Sequence, residues 1–149
     1  FECDPQDHLE TSKRALEDIS LVLQTFAKQL KKPKEELKIY DPYYCDGKIA
    51  KDLGELGYTD VYNKCEDFGK VLKDKKVPKH DIVVTMPPLS EESIEKCFKF
   101  CIRNDKPWVI LLPYYLHKLS FYKELVEASK MRPFYVVPHD DYDCSSPGG

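Results

Sequence analysis

The amino-acid sequence predicts an α/β fold built on a mostly parallel sheet, and three observations carry that prediction. Short apolar runs, several rich in β-branched residues, recur at 37–40, 61–62, 82–85, 108–112 and 134–137. Helix-period segments separate them. Strands alternating with helices make βαβ units, and the right-handed crossover rule then lays the strands parallel. Two of the runs also break abruptly, at Asp41-Pro42 and at Pro87-Pro88, as strands do where an open sheet meets a ligand crevice.

Each element has its own warrant. Leu16, Ile19, Leu23, Phe26 and Leu30 recur at alternating three- and four-residue spacing, which predicts an amphipathic helix over roughly residues 12–31. Lys31, Lys32, Pro33 and Lys34 end it. Residues 37–40 form a buried strand, and Gly47 leads into a helix with Ile49, Leu53 and Leu56 inward and Gly57 as its stop. Val61 and Tyr62 make a second strand. Residues 67–75 follow as a short helix with Phe68, Val71 and Leu72 inward. The run 82–85 suits a sheet covered on both faces. Ser90 and Ser93 flank the next helix start, with Glu91 and Glu92 at its positive end. Residues 108–112 form a strand ended by Pro113, and Leu119, Tyr122 and Val126 mark a further helix. Residues 134–137 read as a last strand before a polar tail closing on Pro147, Gly148 and Gly149. The interval from Asp41 to Thr85 is short for two complete crossovers, so one strand or helix is expected to be missing or reduced.

The totals fit a single domain over residues 1–149, with an N-terminal helix (1–36), a sheet core (37–138) and a tail (139–149). Hydrophobic residues at 42% and charged residues at 33% are ordinary for a soluble globular protein. A net charge of −3 argues against a generally basic nucleic-acid binder, though not against a local basic face. No apolar run approaches the ~20 residues that span a bilayer, and no signal peptide is visible. The Phe1 start, without Met, is expected of a mature or trimmed chain, from which a targeting segment can be missing.

The six cysteines (Cys3, Cys45, Cys65, Cys97, Cys101 and Cys144) show no Cys-x-x-Cys and no zinc spacing. Buried free thiols in an intracellular, reducing compartment are the expectation, with Cys97 and Cys101 sharing a core stripe with Ile94, Phe98 and Ile102. His8, His80, His117 and His139 are scattered without a nucleophile at motif spacing. Lys73, Lys75, Lys76, Lys79 and His80 form one basic segment and residues 28–34 another; solvated loops are the plainer reading, contact with RNA phosphates the sharper one. Tyr114, Tyr115, Phe121 and Tyr122 either pack or offer stacking faces. Asp140, Asp141 and Asp143 lack the Gly and Glu of a calcium loop and read as a solvated tail.

The motif-bearing residues resemble a known family. Residues 39–47 read Ile-Tyr-Asp-Pro-Tyr-Tyr-Cys-Asp-Gly, residues 63–68 Asn-Lys-Cys-Glu-Asp-Phe, and residues 86–89 Met-Pro-Pro-Leu, with Glu10-Thr11-Ser12 ahead of them. In this order, over roughly residues 8–138, the chain resembles class I S-adenosylmethionine-dependent methyltransferases. The likeness is to the branch that methylates exocyclic amino groups in nucleic acids and to a eukaryotic methyltransferase-like group. The resemblance implies a shortened Rossmann-like fold and S-adenosylmethionine as cofactor. It places Asp41 near the cofactor's cationic end, with Tyr43, Cys45 and Gly47 lining the wall. Asn63 stands where relatives hold the ribose, and Asp67 and Phe68 stand at the adenine. The plain alternative for Asp41-Pro42 is a strand-ending turn, and for Glu66-Asp67 the acidic first turn of a helix.

In an active member an Asn and a proline carbonyl hold the target amino group, and an aromatic side chain stacks on the base. Pro87 and Pro88 are retained, but Met86 replaces the Asn and Leu89 the aromatic. A thioether is a poor acceptor and leucine has no π-face. Losing one such polar group costs about 2.7–4 kcal/mol at a reaction centre, and the lost stacking about 1–3 kcal/mol more. The resemblance therefore implies a degenerate domain acting as a structural or interaction subunit with protein or RNA partners, without membrane or metal. The alternatives it leaves are an active methyltransferase on nucleic acid or protein, and a module that senses the cofactor without turnover.

Overall fold

The computed structural model describes residues 11–142. Four short strands, β1 (Ile39–Tyr40), β2 (Val61–Tyr62), β3 (Ile82–Thr85) and β4 (Trp108–Ile110), form one all-parallel sheet in the order β2-β1-β3-β4. Ile39 pairs with Val61 on one side and Ile82 on the other, and Val83 pairs with Trp108. Helices α1 (Lys13–Gln29), α2 (Lys48–Glu55), α3 (Phe68–Lys73), α4 (Glu91–Asn104) and α5 (Ser120–Ser129) surround it. The class is α/β, as the alternating pattern predicts.

Strand order reverses between β1 and β3. Right-handed crossovers on either side of that point fall on opposite faces of the sheet. Leu16, Ile19 and Leu23 of α1 and Ile49 and Leu53 of α2 accordingly pack with Ile39, Ile82 and Val84 on one face. Phe68 of α3 and Cys97, Phe100 and Cys101 of α4 pack with Tyr40 and Val83 on the other. All four residues of β3 are buried, because helices cover both faces. A third cluster joins Ile94 and Phe98 to Leu116 and to Tyr122 of α5 beside β4.

Local chemistry sets the ends of the helices. The Ser90 hydroxyl accepts the Ser93 N–H at 3.3 Å, and the Asp67 carboxylate accepts the Lys70 N–H at 3.2 Å. Gly57 follows α2 at φ 94°, the left-handed stop its position predicts. Between Asp41 and Thr85 the crossovers are complete but reduced: α2 has eight residues, β2 two and α3 six.

Several expectations are corrected. Residues 134–137 are not a strand: Phe134 is fully exposed, and Tyr135, Val136 and Val137 are exposed beside it. Pro133 and Pro138 bracket the segment and donate no N–H. Its anchor is instead a 3.0 Å hydrogen bond between the Tyr135 and Tyr122 hydroxyls, which holds it to α5. The tail is not simply solvated, since Arg14 pairs with Asp140 at 2.9 Å and Tyr142 donates to Asp18 at 2.7 Å. Cys97 and Cys101 are buried thiols, with Ile102 half-buried beside them, but Cys45 is only partly buried and Cys65 is exposed on the loop after β2. His80 leaves the basic segment for the core, between Tyr40 and Phe100. Cys3, His8, Glu10, Asp143 and Cys144 lie outside the described residues. Among those described, no helix is long and apolar enough to cross a membrane, and no three or more His, Cys, Asp or Glu side chains are grouped to hold a metal ion.

The α1 seam is expected to carry much of the stability. Leu23 is fully buried against the sheet, so Leu23→Ala should cost about 2–5 kcal/mol in urea denaturation. A loss below about 0.5 kcal/mol would contradict the packing described.

Candidate functional site

The carboxyl ends of β1 and β3 meet where the strand order reverses, the position at which open α/β sheets bind ligands. Asp41 follows β1 directly, and Thr85 ends β3. The Thr85 hydroxyl donates to Asp41 Oδ1 at 2.5 Å, and the Tyr43 N–H donates to the same oxygen at 3.1 Å. Asn63, just past β2, donates from Nδ2 to Asp41 Oδ2 at 3.0 Å and to the Tyr43 carbonyl at 3.2 Å. Both carboxylate oxygens therefore accept hydrogen bonds from the chain itself. Asn63 Oδ1 is left over: among the described residues it is the one buried side-chain polar atom without a hydrogen-bond partner.

Burial raises the Asp41 pKa to about 7, against the opposing pull of the Thr85 hydroxyl and the Tyr43 N–H. Desolvation penalises the carboxylate, whereas donated hydrogen bonds favour it. At this site desolvation wins. The adjacent Tyr43 phenol is likewise pushed upward, chiefly by burial.

The loop after Asp41 is tight. Cys45, Asp46 and Gly47 take φ of 35°, 57° and 74° in succession. The Gly47 N–H donates to the Tyr44 carbonyl at 2.8 Å, and a Cβ on Gly47 would lie 3.3 Å from the Tyr44 ring. The side of Gly47 on which a Cβ would stand is thus covered by the Tyr44 ring. The space that remains is a cavity of about 10 Å³ lined by Thr11, Asp41, Tyr43, Tyr44, Cys45 and Met86, among others. That is room for about one water molecule.

The structure thus brings Asp41, Tyr43, Cys45, Gly47 and Met86 together, with Asn63 behind them. Pro87 is fully buried, and Pro88 and Leu89 are half-buried at the turn into α4. Asp67 and Phe68 serve α3. Asp67 is its N-cap, and the Phe68 ring packs edge-on against Tyr43 at 5.3 Å and Phe100 at 5.2 Å. Glu66 accepts the Tyr62 hydroxyl at 3.1 Å. Tyr44, Thr85 and Lys48 are site residues that the sequence reading passed over. Thr85 carries a visible signal, a lone hydroxyl at the end of an apolar strand. Lys48 donates to the Thr11 carbonyl at 3.4 Å and pairs with Asp52 at 2.5 Å.

His80 contacts Asn104 at 2.7 Å, His117 the Tyr114 carbonyl, and His139 Asp140 at 3.2 Å; none bonds a Ser or Cys among the described residues. In the first basic run, Lys32 is tied to Asp81 at 2.8 Å. Tyr114 and Tyr115 are exposed, Phe121 is half-buried and Tyr122 is buried. What the fold and site together define is an α/β domain with a small cavity at its strand-order reversal. Compared with protein-family models, curated proteins and solved structures, the chain matches none.

Asp41 makes a signed prediction. Its folded pKa, about 7, lies above the ordinary 3.8, so the folded state holds the proton more tightly than the unfolded chain. Its contribution to stability is present below about pH 4 and is lost as the pH rises toward 7, by up to about 4 kcal/mol. Denaturation across that window should show Asp41→Asn gaining on the wild type as pH rises. Parallel stability curves for the two proteins would refute the assignment.

Proposed function

We propose that this chain is a methyltransferase-like α/β domain with a degenerate amino-methylation motif, serving as a structural or interaction subunit of a larger protein or ribonucleoprotein assembly. One observation carries the reading: the groups a cofactor would use are spent internally. Both oxygens of Asp41 accept from Thr85, Tyr43 and Asn63, and the Tyr44 ring covers Gly47. Met86 and Leu89, standing where the resembled family has a hydrogen-bonding Asn and a stacking aromatic, point the same way. Thr11, Asp41, Tyr43 and Cys45 are the residues that would hold S-adenosylmethionine, and a cavity of about 10 Å³ does not fit it.

A second reading, a binding module or working methyltransferase that retains the cofactor, is favoured by the left-handed run at residues 45–47. Such strain costs about 1–2 kcal/mol per non-glycine residue, and strained backbone clusters at ligand clamps and active sites.

Calorimetric titration separates the two. The first predicts no saturable heat from S-adenosylmethionine or its demethylated product up to about 1 mM, the second a dissociation constant near about 1 µM.

A further inference from the structure

Helix α4 has two working faces. Ile94, Cys97, Phe98 and Cys101 turn into the core. Glu92, Lys96, Lys99 and Arg103 stand four, three and four residues apart along its exposed flank. Beside that flank lies an open groove of about 660 Å³ whose apolar lining comes from Leu72, Val77 and Phe100.

The groove's charge is graded rather than uniform. Toward the start of α4, Glu92 and Glu95 pair with Lys96 at 3.7 Å and Lys99 at 2.7 Å. Toward its end, Arg103 and, across the groove, Lys75 carry no ion pair among the described residues. One end is therefore neutralised and the other cationic, on a chain whose net charge is −3.

That pattern selects among partners. A uniform polyanion such as RNA would meet Glu92 and Glu95 at one end and an apolar floor between, and phosphate recognition uses neither. A helix with one apolar stripe fits both, since amphipathic helices seat anchors at positions i, i+4 and i+7 in such grooves. From Glu92 to Arg103 the flank runs about 16 Å, enough for three turns of a docked helix.

We propose that this groove docks an amphipathic helix from a partner protein. Its apolar stripe lies on Leu72, Val77 and Phe100, and its acidic end lies against Lys75 and Arg103. The proposal rests on the reading of this chain as an interaction subunit and names the surface and the partner chemistry.

The probe is a fluorescent helical peptide of about four turns, with leucines at the anchor spacing and glutamates clustered at one end. Its anisotropy should saturate with the wild-type protein at micromolar concentration. The Lys75→Glu/Arg103→Glu double variant, changed at two exposed positions, should weaken binding about tenfold or more. Val77→Asp should weaken it independently through the floor. A lysine-for-glutamate version of the peptide should bind poorly. No saturation, equal affinity for the double variant, or displacement of the peptide by single-stranded RNA at lower concentration would each overturn the proposal. S-adenosylmethionine titrated into the same double variant keeps the two readings apart: saturable heat there counts against the degenerate-domain reading and leaves the groove untouched.

Discussion

Three strand ends are tied together through one carboxyl group, and the centre of the sheet depends on that knot. β1 contributes only two residues to the ladder, too few to hold a register without help. Beyond it, the Asp41 N–H donates to the Tyr62 carbonyl at 3.0 Å, joining β1 to β2. The Asp41 side chain takes the Thr85 hydroxyl from β3 and the Asn63 amide from the loop after β2. The place where strand order reverses is thereby closed by the protein's own polar groups. Both oxygens of that carboxyl group are taken up by the protein's own donors.

Much of this was legible in the chain, for identifiable reasons. The helix of residues 13–29 was legible because its apolar spacing is periodic over several turns. The run 82–85 was legible because a β-branched residue occupies each of its four buried positions. The caps at Ser90 and Asp67 follow from local hydrogen bonding within three residues. At the candidate site, the loop after Asp41 was readable from the break in the first strand, and the grouping of Asp41, Tyr43, Cys45 and Gly47 from the resemblance. Its internal closure was not, since the contact between Tyr44 and Gly47 depends on the rotamer and a left-handed backbone. Residues 134–137 have a strand's composition, but pairing is decided by neighbours far away in sequence. His80 looked basic by its neighbours, yet Tyr40 and Phe100 from two other elements bury it. The bond from Arg14 to Asp140 spans 126 positions, beyond any local pattern.

The cysteines show how one residue type divides by environment. Cys101 beside it, together with burial, pushes the Cys97 thiol well up, which favours an inert, protonated side chain that packs as a small apolar group. Cys65 sits exposed after β2. The same division runs through the lysines. Lys32 and Lys48 are consumed by Asp81 and Asp52, whereas Lys75, bordering the α3–α4 groove, is exposed and carries no ion pair among the described residues. A nearly balanced total charge thus conceals faces of quite different character.

The bare segment at residues 134–137 has a consequence for crowded solutions. Four consecutive strand-forming side chains facing water are what a neighbouring molecule's edge would recognise as a template for cross-chain pairing. Pro133 and Pro138 close both ends of that template, so any ladder begun there stops after four residues. They act as gatekeepers. Exchanging either for an ordinary residue would lengthen the sticky stretch without touching the folded core, and the damage would appear as concentration-dependent aggregation.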